Sequence, residues 1–168
     1  FVLHFSSVLE AVAATPRLLA HHPAAVELVD LLILRAGLSQ SPPGAFNDFL
    51  NGCPPAILIC ELYDEDDTRL RRRMRELEAE LAAARIGQPV RPVFDPTAQQ
   101  SVWTLRNKGF GLLMSRPGDT HPYEFIEDAA IDPSCLAAYI ADLDALLKSE
   151  GVRETGYYAH ASVGVIHV

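Results

Sequence analysis

The residues best suited to chemistry lie in the stretch YYAHASVGVIHV, residues 157–168, which holds His160 and His167 seven positions apart. Neutral imidazole is a ligand for zinc, manganese and other borderline metals, and each ring nitrogen must come within ~2.0–2.1 Å of the ion. On one continuous strand an odd step of seven sends the two side chains to opposite faces, ~23 Å apart along the chain. One ion can join them only if the backbone reverses between them. Ala161, Ser162, Val163 and Gly164 are small enough, and include the glycine, for a hairpin turn. A catalytic site wants a third protein ligand, commonly a carboxylate. Glu124, Glu127 and Asp128 qualify if their strand lies alongside. The plainer reading of the spacing is two partly exposed histidines on a hairpin.

Such a hairpin needs a sheet to belong to. FVLHF (1–5) reads as a strand. The following SSVLEAVAATPRLLAHH reads as a helix capped by Ser6 or Ser7, with Leu9, Val12 and Ala13 on one face. Pro16 is expected to kink that helix or open a second short one. PAAVELVD (23–30) is a strand, and LLILRAGL after it extends the strand or forms a short helix, which periodicity does not decide. Residues 37–55 carry Gly37, Pro42, Pro43, Gly44, Gly52, Pro54 and Pro55 and read mostly as loop. AILICELY (56–63) is a strand, and a helix with Leu70, Met74, Leu77 and Leu81 in one stripe follows to about Arg85. PVRPVF (89–94) suits a sheet edge. A helix over 96–114 holds Trp103 and Arg106, and its Gly109 and Gly111 suggest close backbone approach or fraying. YEFIED (123–128) reads as a strand. Asp132-Pro133 reads as the cap and first turn of a helix carrying Leu136, Ile140, Leu143 and Leu147, which Gly151 closes. The order predicts an α+β fold, a ferredoxin-like antiparallel sheet with helices packed on one face, as a single domain over 1–168.

Bulk composition narrows the function. With 168 residues, half of them apolar and a net charge of −8, the chain reads as a globular domain with a real core. The acidic balance argues against a nucleic-acid partner, and no apolar run reaches the ~20 residues of a membrane span. There is no Gly-x-Gly-x-x-Gly after a first strand and no phosphate loop of the Gly-Lys-Ser/Thr type. Cys53, Cys60 and Cys135 have no metal-ligand spacing and read as reduced, buried thiols of a cytoplasmic protein. Both ends of the chain fall in β-prone runs, which suggests a domain cut from a longer protein.

PYEFIEDAAIDPSCLAAYIADLDALLKSEGV followed by YYAHASVGVIHV resembles the C-terminal cap domain of FAD-linked oxidases, the family of D-lactate dehydrogenases, glycolate oxidase and D-2-hydroxyglutarate dehydrogenases. That family's Gly-His-x-Gly-Asp-Gly-Asn-x-His motif lines up with Ala159 to His167. The order FVLHF, PAAVELVD, AILICELYDED and SVWTLRNKGFGLLM is similar to the domain's first half, so the likeness spans nearly the whole chain. It is nearest to long bacterial members that join the flavin module to an iron–sulfur module. The resemblance implies oxidation of a 2-hydroxy acid by hydride transfer to FAD, with the FAD bound mainly by an N-terminal domain of the same chain. His160 and His167 match the metal pair of metal-dependent members, for zinc or manganese. Arg106 in WTLRNKG matches the arginine that clamps the substrate carboxylate, a task suited to the guanidinium fork.

Two positions depart from the motif: Val163 and Val165 stand for its Asp and Asn, which removes polar support from around the ligands. The lysine that some members carry on the strand matching YEFIED is absent. The further carboxylate ligand and histidine base of metal-using members fall beyond Val168. His121, before Pro122, is a candidate for the cap edge. On this reading the excised domain is inactive and colourless by itself. The full-length protein would be cytoplasmic, with peripheral attachment at the inner membrane and a homodimer both compatible with it. The competing readings are a non-catalytic ferredoxin-like module that binds a ligand or dimerises, and a self-contained metallohydrolase built on His160, His167 and a carboxylate.

Overall fold

The computed structural model describes residues 1–115 and 122–168. Among them, strands and helices alternate along the chain until a closing hairpin: β1 (Val2–Phe5), α1 (Val8–Leu19), β2 (Ala25–Asp30), α2 (Leu31–Ser39), β3 (Ala56–Glu61), α3 (Asp67–Ala84), β4 (Val90–Arg91), α4 (Pro96–Met114), β5 (Ala129–Ala130), α5 (Leu136–Ser149), β6 (Tyr158–His160) and β7 (Val165–His167). The strands form one sheet in the order β4-β1-β3-β2-β6-β7-β5, antiparallel at every pairing. Its first four positions have the ferredoxin-like order, with β3 inserted between β1 and β2. The hairpin β6–β7 and the short β5 extend the sheet beyond β2. The fold is α+β on an open antiparallel sheet, as the sequence predicts.

Strand alternation sorts the side chains into two cores. Leu3, Phe5, Val26, Leu28, Leu58, Ala159 and Ile166 point to one face, under Val12 and Leu18 of α1, Leu77 and Leu81 of α3, and Leu136 and Ile140 of α5. Val2, Val29, Ile57 and Ile59 point to the other, where Ile33 and Leu34 of α2, Val102 and Leu105 of α4, and Phe46 and Phe49 cover them. Helices therefore cover the second face as well as the first. The continuous apolar run of β3 requires this, since Ala56 to Cys60 are all buried and no strand residue there can face water.

The local chemistry explains most elements. Ser7 caps α1 by accepting from the Glu10 N–H, and α1 runs unbroken through Pro16. The proline removes one rung close to the end of the helix, and Ala11, Val12, Thr15 and Leu18, all buried, hold both sides of it on the sheet. Asp30 decides the fate of LLILRAGL: its carboxylate accepts from the Ile33 N–H and caps α2. The apolar stripe of α3 packs as expected, under an Asp66 cap. Gly151 sits in the left-handed region at φ 82° after α5, and Val152 N–H donates to the Leu147 carbonyl behind it.

Three further sequence expectations need correction. Residues 123–128 form no strand; pairing with β7 begins only at Ala129. Tyr123 and Phe125 are exposed, so the segment has no buried face to specify a ladder, and Asp128 at φ 53° breaks the extension. Asp132 does not cap α5. Its carboxylate accepts from Ser134 N–H and Oγ in a local turn, and the helix starts at Leu136 after Cys135. Of the three free cysteines only Cys60, on β3, is buried; Cys53 lies in the loop before β3 and Cys135 at the start of α5, both exposed. His121 lies outside the described residues.

Candidate functional site

The chain reverses between the two histidines. Tyr158 pairs with His167, Ala159 with Ile166 and His160 with Val165, which makes 158–167 a tight hairpin rather than one strand. His160 and His167 thus share a face. Their ring centroids are 5.8 Å apart at an interplanar angle of 76°. The turn depends on Gly164, at φ 72°, whose N–H donates to the Ala161 carbonyl. A side chain there would also overlap the Ile131 carbonyl oxygen, because the Gly164 carbonyl accepts from the Ile131 N–H and draws β5 against the hairpin.

The histidine face is the α4 side of the sheet, and α4 brings Arg106 to it. Two reciprocal contacts fix the depth of α4: Leu105 fills the space a side chain on Gly37 would need, and Ile33 fills that of Gly109. Arg106 then meets Glu27, which points from β2 to the same face. Glu27 Oε2 accepts from Arg106 Nη2 at 2.6 Å and from Nε at 3.2 Å. His160 Nδ1 lies 3.1 Å from Glu27 Oε1 and 3.0 Å from Oε2, and 3.0 Å from Arg106 Nη2. The Arg106 guanidinium also lies over the Tyr158 ring, 4.4 Å from its centroid. Burial raises the Tyr158 phenol above its ordinary pKa, against the pull of the Arg106 charge. The Arg106 and Glu27 side chains are largely buried, whereas His160 remains partly open.

The segment 122–128 runs beside the end of β7, where Val168 N–H donates to the Ile126 carbonyl. It brings two of the three proposed carboxylates near His167: Nδ1 is 3.5 Å from Glu124 Oε1 and 3.7 Å from Asp128 Oδ1. Two imidazoles ligating one ion in tetrahedral geometry hold their ring centroids about 5 Å apart. The observed pair is wider than that spacing. Among the described residues no group of three His, Cys, Asp or Glu is gathered tightly enough to complete a site.

A cleft of ≈ 560 Å³ opens beside this polar strip, with Tyr158 and His167 in its wall. The rest of the wall is largely apolar, including Leu32, Ile33, Leu113, Phe125 and Leu147. His167 thus stands where a polar strip meets an apolar cleft, an arrangement suited to a small ligand with a charged end and a carbon chain.

The family of FAD linked oxidases, C-terminal domain, matches residues 1–168. The chain belongs to this family. Among its relatives, a D-2-hydroxyglutarate dehydrogenase of Pseudomonas putida is 26% identical over 174 aligned residues, covering 99% of this chain and 17% of the relative. The D-2-hydroxyglutarate dehydrogenase of Escherichia coli (strain K12) is 36% identical over 107 residues, 64% of this chain and 10% of the relative. One from Pantoea ananatis is 26% identical, covering 94% of the chain and 16% of the relative. The chain thus spans about a sixth or less of the relatives it matches.

Within this FAD linked oxidase C-terminal domain, His160, His167 and Arg106 come together on one face, as a site built from them requires. Sequence reasoning missed Glu27 and Tyr158. Glu27 had a signal: it is the one charged residue inside the apolar run AVELV, and it is buried. Tyr158 had a weaker one, its two-residue offset from His160 on a strand. No described helix is long and apolar enough to cross a membrane.

Proposed function

We propose that residues 1–168 form the substrate-binding cap domain of a flavin-dependent oxidoreductase that oxidises a 2-hydroxy acid, and that the domain is inactive alone. The observation that carries this reading is the convergence of His160 and His167 on one face of a hairpin, beside Arg106 and the mouth of an apolar cleft. The relatives' names support a 2-hydroxy acid, and D-2-hydroxyglutarate is the first to test. FAD, bound mainly by another domain of the same chain, would supply the acceptor for a hydride leaving the substrate α-carbon. A divalent ion, zinc or manganese, would polarise the substrate hydroxyl and favour loss of its proton. An iron–sulfur module elsewhere in the longer protein would carry electrons onward.

The chain's own residues supply binding and orientation. Glu27 occupies the Nε–Nη2 edge of Arg106, and the Nη1 end, which donates to Asn107 Oδ1 over a long 3.3 Å, would exchange that contact for a substrate carboxylate. His160 offers Nε2 and His167 its ring nitrogens as two ligands of the ion, with Glu124 or Asp128 near enough to His167 to fix its ring. Leu113, Phe125 and Leu147 shelter the substrate's carbon chain and exclude water from the reacting carbon.

The test is turnover by the full-length protein with a panel of 2-hydroxy acids, followed as flavin bleaching. Arg106→Met should raise KM strongly for substrates that bear the 1-carboxylate, because the guanidinium contact is lost. A full-length protein that bleaches with no 2-hydroxy acid, or an Arg106→Met variant with unchanged KM, contradicts the proposal. The isolated 168-residue chain should show no visible flavin absorbance.

A further inference from the structure

Glu27 sits at a position where a carboxylate is costly. It lies mid-strand in β2, opposite Ile59 of β3, and is only 6% exposed. A buried ion pair is poor evidence for stability, because apolar residues of similar size serve stability as well or better. Its contacts are specific instead. One oxygen takes two N–H groups of Arg106, and both oxygens lie within hydrogen-bond reach of one nitrogen of His160.

We infer that Glu27 is a positioning residue that fixes His160 in the tautomer with the proton on Nδ1, so that the Nε2 lone pair is the one presented on the open face, while it holds Arg106 beside it. The inference deepens the functional reading above and rests on His160 and Arg106 being its working groups. The argument is one of donors and acceptors. A neutral imidazole carries a proton on one nitrogen and a lone pair on the other. A lone pair on Nδ1 would face both carboxylate oxygens, at 3.0 and 3.1 Å, with acceptor against acceptor. A proton there is donated to Oε1, with the negative Oε2 3.0 Å away. Arg106 Nη2 also lies 3.0 Å from Nδ1, and the second of its two N–H groups would serve the opposite tautomer; that tautomer, however, sets the Nδ1 lone pair against two anionic oxygens, whereas with the proton on Nδ1 Arg106 keeps both of its bonds to Glu27. A carboxylate behind a ligand imidazole both selects the tautomer and raises ligand basicity.

The ring tautomers are read directly by long-range proton–nitrogen NMR of the 15N-histidine-labelled chain, with His160 assigned from the signals lost in His160→Gln. The wild-type protein, at a pH where its imidazoles are neutral, should show His160 in the Nδ1–H form. In Glu27→Gln the amide can donate where the carboxylate only accepted, and the Nδ1–H to Nε2–H ratio should fall about tenfold or more. An Nε2–H or evenly mixed His160 in the wild type overturns the inference, whether or not any variant folds. So does a folded Glu27→Gln chain that keeps the wild-type ratio. Failure of the functional reading is separate: it would leave the tautomer as inferred and show instead as a full-length protein without 2-hydroxy-acid turnover.

Discussion

Glu27 and Arg106 are 79 residues apart in the chain, yet the carboxylate of one accepts two N–H groups of the other through a single oxygen, with both side chains largely buried. The pair ties β2 to α4 at the point where the sheet turns its polar strip toward the cleft. Removing one partner leaves a charge with no counter-charge in a poorly solvated place. Glu27→Ala should therefore destabilise the domain by about 3–5 kcal/mol in urea unfolding. The double replacement Glu27→Leu with Arg106→Met should recover much of that loss, since an apolar pair suits the site. Additive losses in the double variant would show that the two do not act as a pair.

The height of α4 over the sheet makes a second prediction. A Cβ on Gly109 would meet Ile33 Cγ2 at 2.6 Å and the Ile33 carbonyl oxygen at 3.3 Å, and neither atom is the free end of a flexible side chain. Gly111, two residues on, has nothing within 4 Å. Gly109→Ala should cost about 1–3 kcal/mol by overpacking, while Gly111→Ala should gain roughly 0.4–1 kcal/mol from helix propensity and a less flexible unfolded chain. Thermal melts of the two variants should move in opposite directions. Equal effects would mean that α4 does not rest on α2 as described.

Asp30 gives a pH dependence with a definite sign. It caps α2 through the Ile33 N–H and reaches across to the Tyr157 N–H at 2.8 Å, tying the start of α2 to the strand that carries His160. Burial raises its pKa to about 6, against the lowering effect of those N–H donors. A carboxyl whose folded pKa lies above its unfolded value binds more protons in the folded state between the two. Its contribution to stability then falls as pH rises from about 4 to about 6. The shift corresponds to roughly 3 kcal/mol. The difference in unfolding free energy between wild type and Asp30→Asn should change by that order across this window and level off above it. A flat difference would contradict the assignment.

Much of this arrangement was legible in the residues. The stripe of Leu70, Met74, Leu77 and Leu81 specifies a helix by its period, and the short, β-branched apolar runs of β1 and β3 specify buried strands by their length and composition. The hairpin was legible because Gly164 and its small neighbours made reversal the one geometry in which His160 and His167 could meet. Residues 123–128 misled because alternation of Tyr123, Phe125 and Glu124 suggests a strand, whereas those aromatics line or flank a cleft and are left exposed. LLILRAGL was undecidable by period, and one capping bond from Asp30 settled it. Glu27 could be seen as an oddity in its strand, but its partners come from α4 and β6, and no local pattern specifies that tertiary meeting.

The central claim is that His160 and His167 act together on substrate. Its most direct test is single-turnover flavin reduction in the full-length protein with D-2-hydroxyglutarate, comparing wild type with His160→Ala and His167→Ala variants whose melting and flavin content are unchanged. The account predicts that each variant loses at least about 100-fold in the rate of flavin reduction and that the double variant loses little more, because either histidine alone cannot do the work of the pair. Wild-type reduction rates in both single variants would contradict it.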